Sequence, residues 1–184
     1  MKNKRNLLLA QLHQYQPYDE HEAQMLQDTI LFIQKNKDCF LRSNLKGHLT
    51  ASAWIVDNTF QFALLTHHQK LNKWIQLGGH ADGNENMLEV ALQEAKEESG
   101  LESLHIFQET IFDVDVHTIP TYQEIPEHIH FDIRFILIAN RYENLIKNYE
   151  SKQLAWLHLW DIHKFNSERS VMRMVRKTIK QSKF

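Results

Sequence analysis

Apolar and polar positions recur with two different periods along this chain, and the change of period divides it. Over residues 3–36 the apolar positions fall at helical spacing. Leu7 and Leu8 lead with Gln11 into a break at Gln16 and Pro17, and after Asp19 come Met25, Leu26, Ile30, Leu31 and Ile33. From residue 48 the apolar runs shorten and polar turns separate them, so His48–Val56, Gln61–Thr66 and Trp74–Leu77 read as strands. A strong helix follows from about Asn86 to Ser99 and stops at Gly100, with Asn86 as N-cap and Glu89 completing a capping box. Strands over about 111–117 and 129–138 come next, joined by a loop holding Pro120 and Pro126. Leu154–Leu159 reads as the last strand and 167–181 as a final helix. Strands mixed with helices in 184 residues predict an α/β sandwich. The expected division is an N-terminal helical extension over 1–44, a main domain over 45–165 and a C-terminal helix of that domain over 166–184.

Composition narrows the partners more than the fold. The formal net charge is −2, which points to no bulk nucleic-acid or membrane partner. Cys39 is the only cysteine, so no intrachain disulfide forms. Met1–Arg5 is basic and Leu7–Ala10 apolar, but Gln11, His13 and Gln14 end that run too early for a signal-peptide core. No stretch approaches the length of a membrane span, and a reducing cytoplasm is the expected compartment. The expected partner is a small molecule; a homodimer stays open.

The helix over 86–99 carries the most informative chemistry. At about 100° per residue, Leu88, Ala91, Leu92 and Ala95 share an arc, and Glu94, Glu97 and Glu98 fall together on the neighbouring one, with Lys96 pointing away. Glu94 and Glu98 form a like-charge i,i+4 pair that opposes the helix by about 0.2–0.5 kcal/mol. Glu97 and Glu98 also lie near the C-terminal end, where the helix dipole disfavours negative charge. A divalent cation would reverse the sign of each effect, because hard cations take oxygen ligands. A solvated acidic face would carry the same residues.

The neighbours of these glutamates decide between the two. Residues 79–101 resemble the Nudix box, a 23-residue pattern G-x5-E-x7-R-E-U-x-E-E-x-G-U with U aliphatic. Gly79, Glu85, Glu94, Glu97, Glu98, Gly100 and Leu101 match it. The fixed Gly and Glu positions alone coincide by chance roughly once in ten million starts at average residue usage. Ala95 stands where a larger aliphatic is usual, and Gln93 where the pattern has arginine. A guanidinium at that position holds a carboxylate by a bidentate charged contact; Gln93 offers a neutral hydrogen bond. The segments Gly47–Trp54, Leu65–His68, Trp74–His80, Asp115–His117 and His128–Phe135 are similar to one bacterial Nudix subgroup, with its Leu77-Gly78-Gly79-His80 entry to the box.

The resemblance implies a Nudix α/β/α sandwich in which the box forms a loop-helix-loop on a mixed sheet. It implies Mg2+ (or Mn2+) held by Glu94, Glu97 and Glu98 with the Gly78 carbonyl as helper, Gly79 permitting the tight entry and Glu85 supporting the loop. The implied activity is hydrolysis of a pyrophosphate bond in a nucleoside diphosphate-linked or similar small molecule. Glu94, Glu97 and Glu98 are then the catalytic set. The proton acceptor is Glu97, Glu98 or a distal carboxylate, with Glu150, before the last strand, preferred over Glu124 and Glu127. Gln93 keeps alive a second reading, a Nudix-like binding or regulatory module without turnover. A third is a hydrolase using another metal on histidines.

Strict alternation adds a further face. His128, His130, Asp132 and Arg134 share one side of their strand, and Asp113, Asp115 and His117 share one side of the strand before it. If the strands pair, these residues merge into a patch with His80 beside it. His80, His117, His128, His130 and Arg134 are therefore expected to contact substrate, against the alternative of a half-solvated sheet face. Zinc on His128 and His130 is disfavoured, because no cysteine cluster or third spaced histidine supports it. Asp82, Asn84 and Asn86 resemble the start of an EF-hand loop, but Met87 and Gln93 stand at its required Gly and Glu positions. The basic stretch Arg169, Arg173, Arg176, Lys177, Lys180 and Lys183 reads as a solvated helix with cations near its C-terminus.

Overall fold

A computed structural model describes residues 4–181, so Met1–Asn3 and Lys183 lie outside the described residues. Helices α1 (Lys4–Gln14) and α2 (Glu20–Lys35) flank the break at Pro17. Asp19 caps α2, its carboxylate accepting the Glu22 N–H at 2.8 Å. The chain then enters β1 (Gly47–Asp57), buried along its whole length.

β1 is the axis of an eight-stranded mixed sheet. It pairs antiparallel with β2 (Phe62–His68) and β4 (Leu77–His80), and parallel with β7 (His128–Ala139). β3 (Trp74–Ile75) and β8 (Ser151–His158) join β2, while β5 (His105–Ile106) and β6 (Asp113–Ile119) join β7. The stretch Trp74–Leu77, expected as one strand, divides at Gln76: β3 lies on β2, and β4 crosses to β1. The crossing brings Leu77 into a core cluster with Ala53 and Ile55. It also brings Gly78 so close to β1 that a Cβ there would lie 2.5 Å from the Ala51 carbonyl oxygen. β5 has two residues, both exposed, and leaves no periodicity to read.

The box helix α3 (Met87–Ser99) starts after Asn86 and ends at Gly100, whose φ of 69° is the left-handed cap glycine favours. Asn86 makes no side-chain cap bond, so the expected capping box is not formed; Glu89 instead receives Asn84 Nδ2 at 3.5 Å. α3 and α2 cover the side of β1 that carries Leu49 and Ala51, and α4 (Arg169–Gln181) covers the side that carries Trp54 and Val56. Trp54 Nε1 donates to Thr178 Oγ1 of α4 at 2.9 Å.

β6 and β7 do pair, antiparallel, with Asp113 opposite Arg134, Asp115 opposite Asp132 and His117 opposite His130. The resulting polar face is not a half-solvated one. Asp113, Asp115, Asp132 and Arg134 are all buried. Arg134 donates to Asp132 Oδ2 at 2.7 Å, Asp113 Oδ1 at 3.2 Å and Asp115 Oδ2 at 3.0 Å. Arg173 of α4, read from the sequence as solvated, is fully buried and grips Asp113 through Nε and Nη2, each at 2.7 Å. Lys177 reaches Asp113 at 2.7 Å and also Glu22, a buried acid of α2. The basic stretch of α4 is therefore divided: Arg173 and Lys177 turn to carboxylates brought by β6 and α2, while Arg176 and Lys180 stay exposed as expected.

Burial alone would raise the Asp113 pKa, but the hydrogen bonds from Arg173 and the charges of Arg134 and Lys177 overcome it and hold the carboxyl below its ordinary range. Asp115 is likewise held low, burial being outweighed by Arg134 and His117. A depressed folded pKa contributes stability that is complete above the unfolded value, about 4, and lost as pH falls below it. Replacing Asp113 by Ala leaves three cations facing a gap. The expected loss is about 3–5 kcal/mol in urea unfolding at pH 7, shrinking as pH falls below about 4. A loss under about 1 kcal/mol would show that the network does not hold the layers together.

Candidate active site

The buried arc of α3 is made by Met87, Val90, Ala91, Ala95, Glu98 and Ser99, with Leu88 and Leu92 half-buried at its margin. It is thus turned from the arc expected at Leu88, Ala91, Leu92 and Ala95. Glu98 lies inside it, with 4% of its surface exposed; Glu94 is half-buried and Glu97 exposed. β4 passes directly over these side chains. The Gly78 N–H donates to Glu98 Oε2 at 3.2 Å. A Cβ on Gly79 would sit 2.4 Å from the Glu94 carboxyl carbon, so any larger residue there would push that carboxylate out of its place. Neither Glu94 nor Glu98 forms an ion pair among the described residues.

The electrostatics record that missing partner. Burial pushes Glu98 up to about 8, against the Gly78 hydrogen bond and with the help of Glu94, Glu150 and Glu97. Burial also pushes Glu94 up to about 7, with the charges of Glu97, Glu150 and Asp82 adding and Arg42 opposing. Glu150, at the mouth of β8, is thus felt by both box glutamates. Its backbone N–H is held by Asn148 Oδ1 at 2.9 Å, and its carbonyl accepts the Gln69 N–H at 2.7 Å. Glu124 and Glu127 sit exposed on the loop before β7.

Gln93 Nε2 donates to Glu97 Oε1 at 2.8 Å, a neutral bond at the position where the motif has arginine. Glu85 accepts the Arg5 N–H at 3.1 Å, tying the loop before α3 to the first turn of α1. Arg42, which no pattern in the sequence singled out, pairs with Asp82 through Nε at 2.6 Å and through a second nitrogen. Its charge is felt by Glu94, so it is a cation beside the acidic site. It lies in an irregular turn whose approach to the box depends on the whole fold.

The polar face next to β4 gathers the histidines. His130 has its ring centre 5.0 Å from His80, 5.1 Å from His128 and 5.5 Å from His117. His48 of β1, given no role by its sequence pattern, stands 4.8 Å from His130 and 5.0 Å from both His80 and His128. The third histidine missing from the sequence spacing is therefore present, carried in by the parallel register that puts His48 beside His130. Burial lowers His130 to about 2 and His80 to about 4, with the neighbouring histidines adding, and lowers His48 as well. Arg134, grouped with these residues by alternation, spends its guanidinium on Asp113, Asp115 and Asp132 and is 2% exposed, so it braces the face from beneath and does not present itself to a ligand.

Residues 46–176 match the model of the NUDIX domain, and the chain belongs to the Nudix family. Among solved structures, it is similar to a C. elegans Ap4A hydrolase binary complex at 19% identity and a TM-score of 0.57, covering 74% of this chain and 98% of that one. A NUDIX-family hydrolase from Clostridium perfringens is 26% identical with a TM-score of 0.53, covering 73% of this chain and 97% of the other. The E. coli dihydroneopterin triphosphate pyrophosphohydrolase shares 13% identity at a TM-score of 0.52, covering 70% of this chain and 92% of that one. No curated protein matches the chain. The shared architecture is the Nudix α/β/α sandwich, here preceded by α1 and α2. No helix among the described residues is long and apolar enough to cross a membrane.

A carboxyl whose folded pKa is raised contributes stability below its unfolded value and loses it as pH rises through the folded one. In excess chelator, the protein should lose thermal stability between about pH 5 and the Glu98 value of about 8. Glu98→Gln should flatten that slope and gain a few kcal/mol at pH 8, since each tenfold change in proton affinity is worth about 1.4 kcal/mol. A variant no more stable than the native protein at pH 8 would show that Glu98 is not strained.

Proposed function

We propose that this chain is a magnesium-dependent hydrolase that cleaves a pyrophosphate bond in a nucleoside diphosphate-linked or similar small molecule. One observation carries the reading: Glu94 and Glu98 are brought together under β4, desolvated and without a cationic partner. Such carboxylates either protonate or take a cation. The donor set is all oxygen, with no thiol or imidazole in it, which fits Mg2+ (or Mn2+). Glu94, Glu97 and Glu98 would hold the ion, the Gly78 carbonyl offering a further oxygen. When bound, it supplies neutralisation of phosphate charge and activation of water.

The chain's own groups do the rest. Gly79 keeps β4 low enough for the glutamates to reach across it. Gln93 restrains Glu97 without neutralising it, and Glu85 and Gly100 fix the two ends of the box. Glu150 accepts the proton of the attacking water, a role its place beside Glu94 and Glu98 suits. His80, His117, His128 and His130, expected from the sequence to contact substrate, lie on the opposite side of β1 from the glutamates and are given no contact with it. Arg42 stands at the acidic site as a charge that can meet a phosphate.

The test is a hydrolysis screen with Mg2+ across nucleoside triphosphates, dinucleoside polyphosphates, nucleotide sugars and dinucleotide cofactors. Ap4A and dihydroneopterin triphosphate, named for two structural relatives, belong in it. Release of a monophosphate product is expected from at least one class; none, with ligand binding retained, would favour the binding-module reading that Gln93 raises. Glu98→Gln should lower kcat by at least about a hundredfold, and Glu150→Gln by about 10²–10⁴, with the fold intact. Gln93→Arg should hold or raise the rate. Full activity in Glu98→Gln would sink the mechanism.

A further inference from the structure

We propose that His48, His128 and His130 form a second metal site, for a zinc-class transition ion, built on the polar face of the sheet and sharing no ligand with the acidic site. This proposal does not rest on the hydrolase reading. One ligand atom from each of these three residues lies within 4.8 Å of the others. The Nε2 atoms of His128 and His130 are 3.2 Å apart. Nitrogen ligands at about 2.0–2.1 Å from a tetrahedral ion stand about 3.4 Å from one another, so this pair is already close to the spacing zinc requires.

The outer contacts orient the rings as ligands. His48 Nδ1 lies 3.3 Å from the Asn44 carbonyl oxygen, and His128 Nδ1 lies 2.8 Å from that of Pro126. A carbonyl only accepts, so each Nδ1 carries the proton and each Nε2 is left with a free lone pair. Such a bond from the second ring nitrogen is the usual support of a metal-bound imidazole. His48 Nε2 is buried and has no hydrogen-bond partner. An orphaned buried acceptor is rare and costly, and a cation in the cluster would satisfy it. His130 takes part by carrying its proton on Nδ1, so the triad stays neutral and the step needs only the ion. His80 has its ring centre 5.0 Å from both His48 and His130, beside the triad but outside the set of converging ligand atoms.

The donor chemistry separates this site from the other. Imidazole nitrogen suits zinc, copper, nickel or iron and binds magnesium poorly, whereas the carboxylates of α3 are the donors that accept magnesium and manganese. The three ligands come from β1 and β7, where His48 lies in register with His130 and His128 is held opposite Ile119 of β6, so the triad is seated on paired backbone.

The test uses the full chain, stripped with chelator and titrated with Zn2+ by calorimetry, and with Co2+ by visible absorption. The native protein should take one equivalent in this cluster, and Co2+ should show the intense bands of a tetrahedral site. Glu98→Gln should bind Zn2+ unchanged, while His128→Gln and His130→Gln should each lose at least a hundredfold in affinity. Failure of the native chain to bind, native affinity in both histidine variants, or loss in Glu98→Gln alone would overturn the site. Should the histidine variants not fold, imidazole NMR of the native protein decides: Zn2+ must shift the His48, His128 and His130 resonances together, and unshifted resonances refute the proposal.

Discussion

The structure depends on a charge arrangement that water would ordinarily claim. Glu22, Asp113, Asp115 and Asp132 meet Arg134, Arg173 and Lys177 in the interior, and the groups come from α2, β6, β7 and α4. Thr50 and Ser52 of β1 complete it by donating to Asp132 at 3.0 and 2.9 Å. Buried ion pairs add little net stability over apolar packing, but breaking one leaves a charge stranded. The network therefore acts as a register lock. A slip of one residue between β6 and β7 would turn Asp113 and Asp115 to the apolar side, away from Arg134. With that register held, the face above it carries histidines in a fixed pattern.

The two sides of β1 consequently serve different chemistry. On the side of α3, small residues let the box helix come close, and Gly78 and Gly79 let β4 lie over its carboxylates. The closeness desolvates Glu94 and Glu98 and leaves them high in proton affinity, a local instability that the rest of the fold supports. On the other side, aspartates and arginines neutralise one another, and imidazoles lie at the rim. Acidic oxygen donors and imidazole nitrogen donors are thus kept in separate compartments of a small domain.

Local pattern revealed the parts of this arrangement that local pattern determines. Glu94, Glu97 and Glu98 share a helix, so spacing alone places them together, and Gln93 declares the missing guanidinium by its identity. Asp19 and Gly100 signal the ends of their helices through side-chain and backbone chemistry within a few residues. Arg134 and Arg173 could not be read this way. Each has the alternation or helical position of a surface cation, and only pairing across β6 and packing of α4 show that carboxylates await them. His48 is hidden for the same reason. Its partners lie in β7, and the neighbouring register pair Thr50 and Asp132 is 82 residues apart in sequence. Glu89 shows the opposite error, a motif with the right spacing whose side chain finds a nearer partner in Asn84.

That long separation has a kinetic consequence. β1 and β7 can pair only after the intervening strands and α3 have been gathered, because closing so large a loop is entropically expensive before any contact rewards it. β1 can find β2 and β4 early, since those partners follow it closely in the chain. The box helix and its strand therefore belong to the section that can assemble first, and the histidine cluster to the seam that closes last. Until that seam closes, the edge of β1 is an open strand with His48 exposed on it, the point at which a folding chain is most exposed to pairing with another copy of itself.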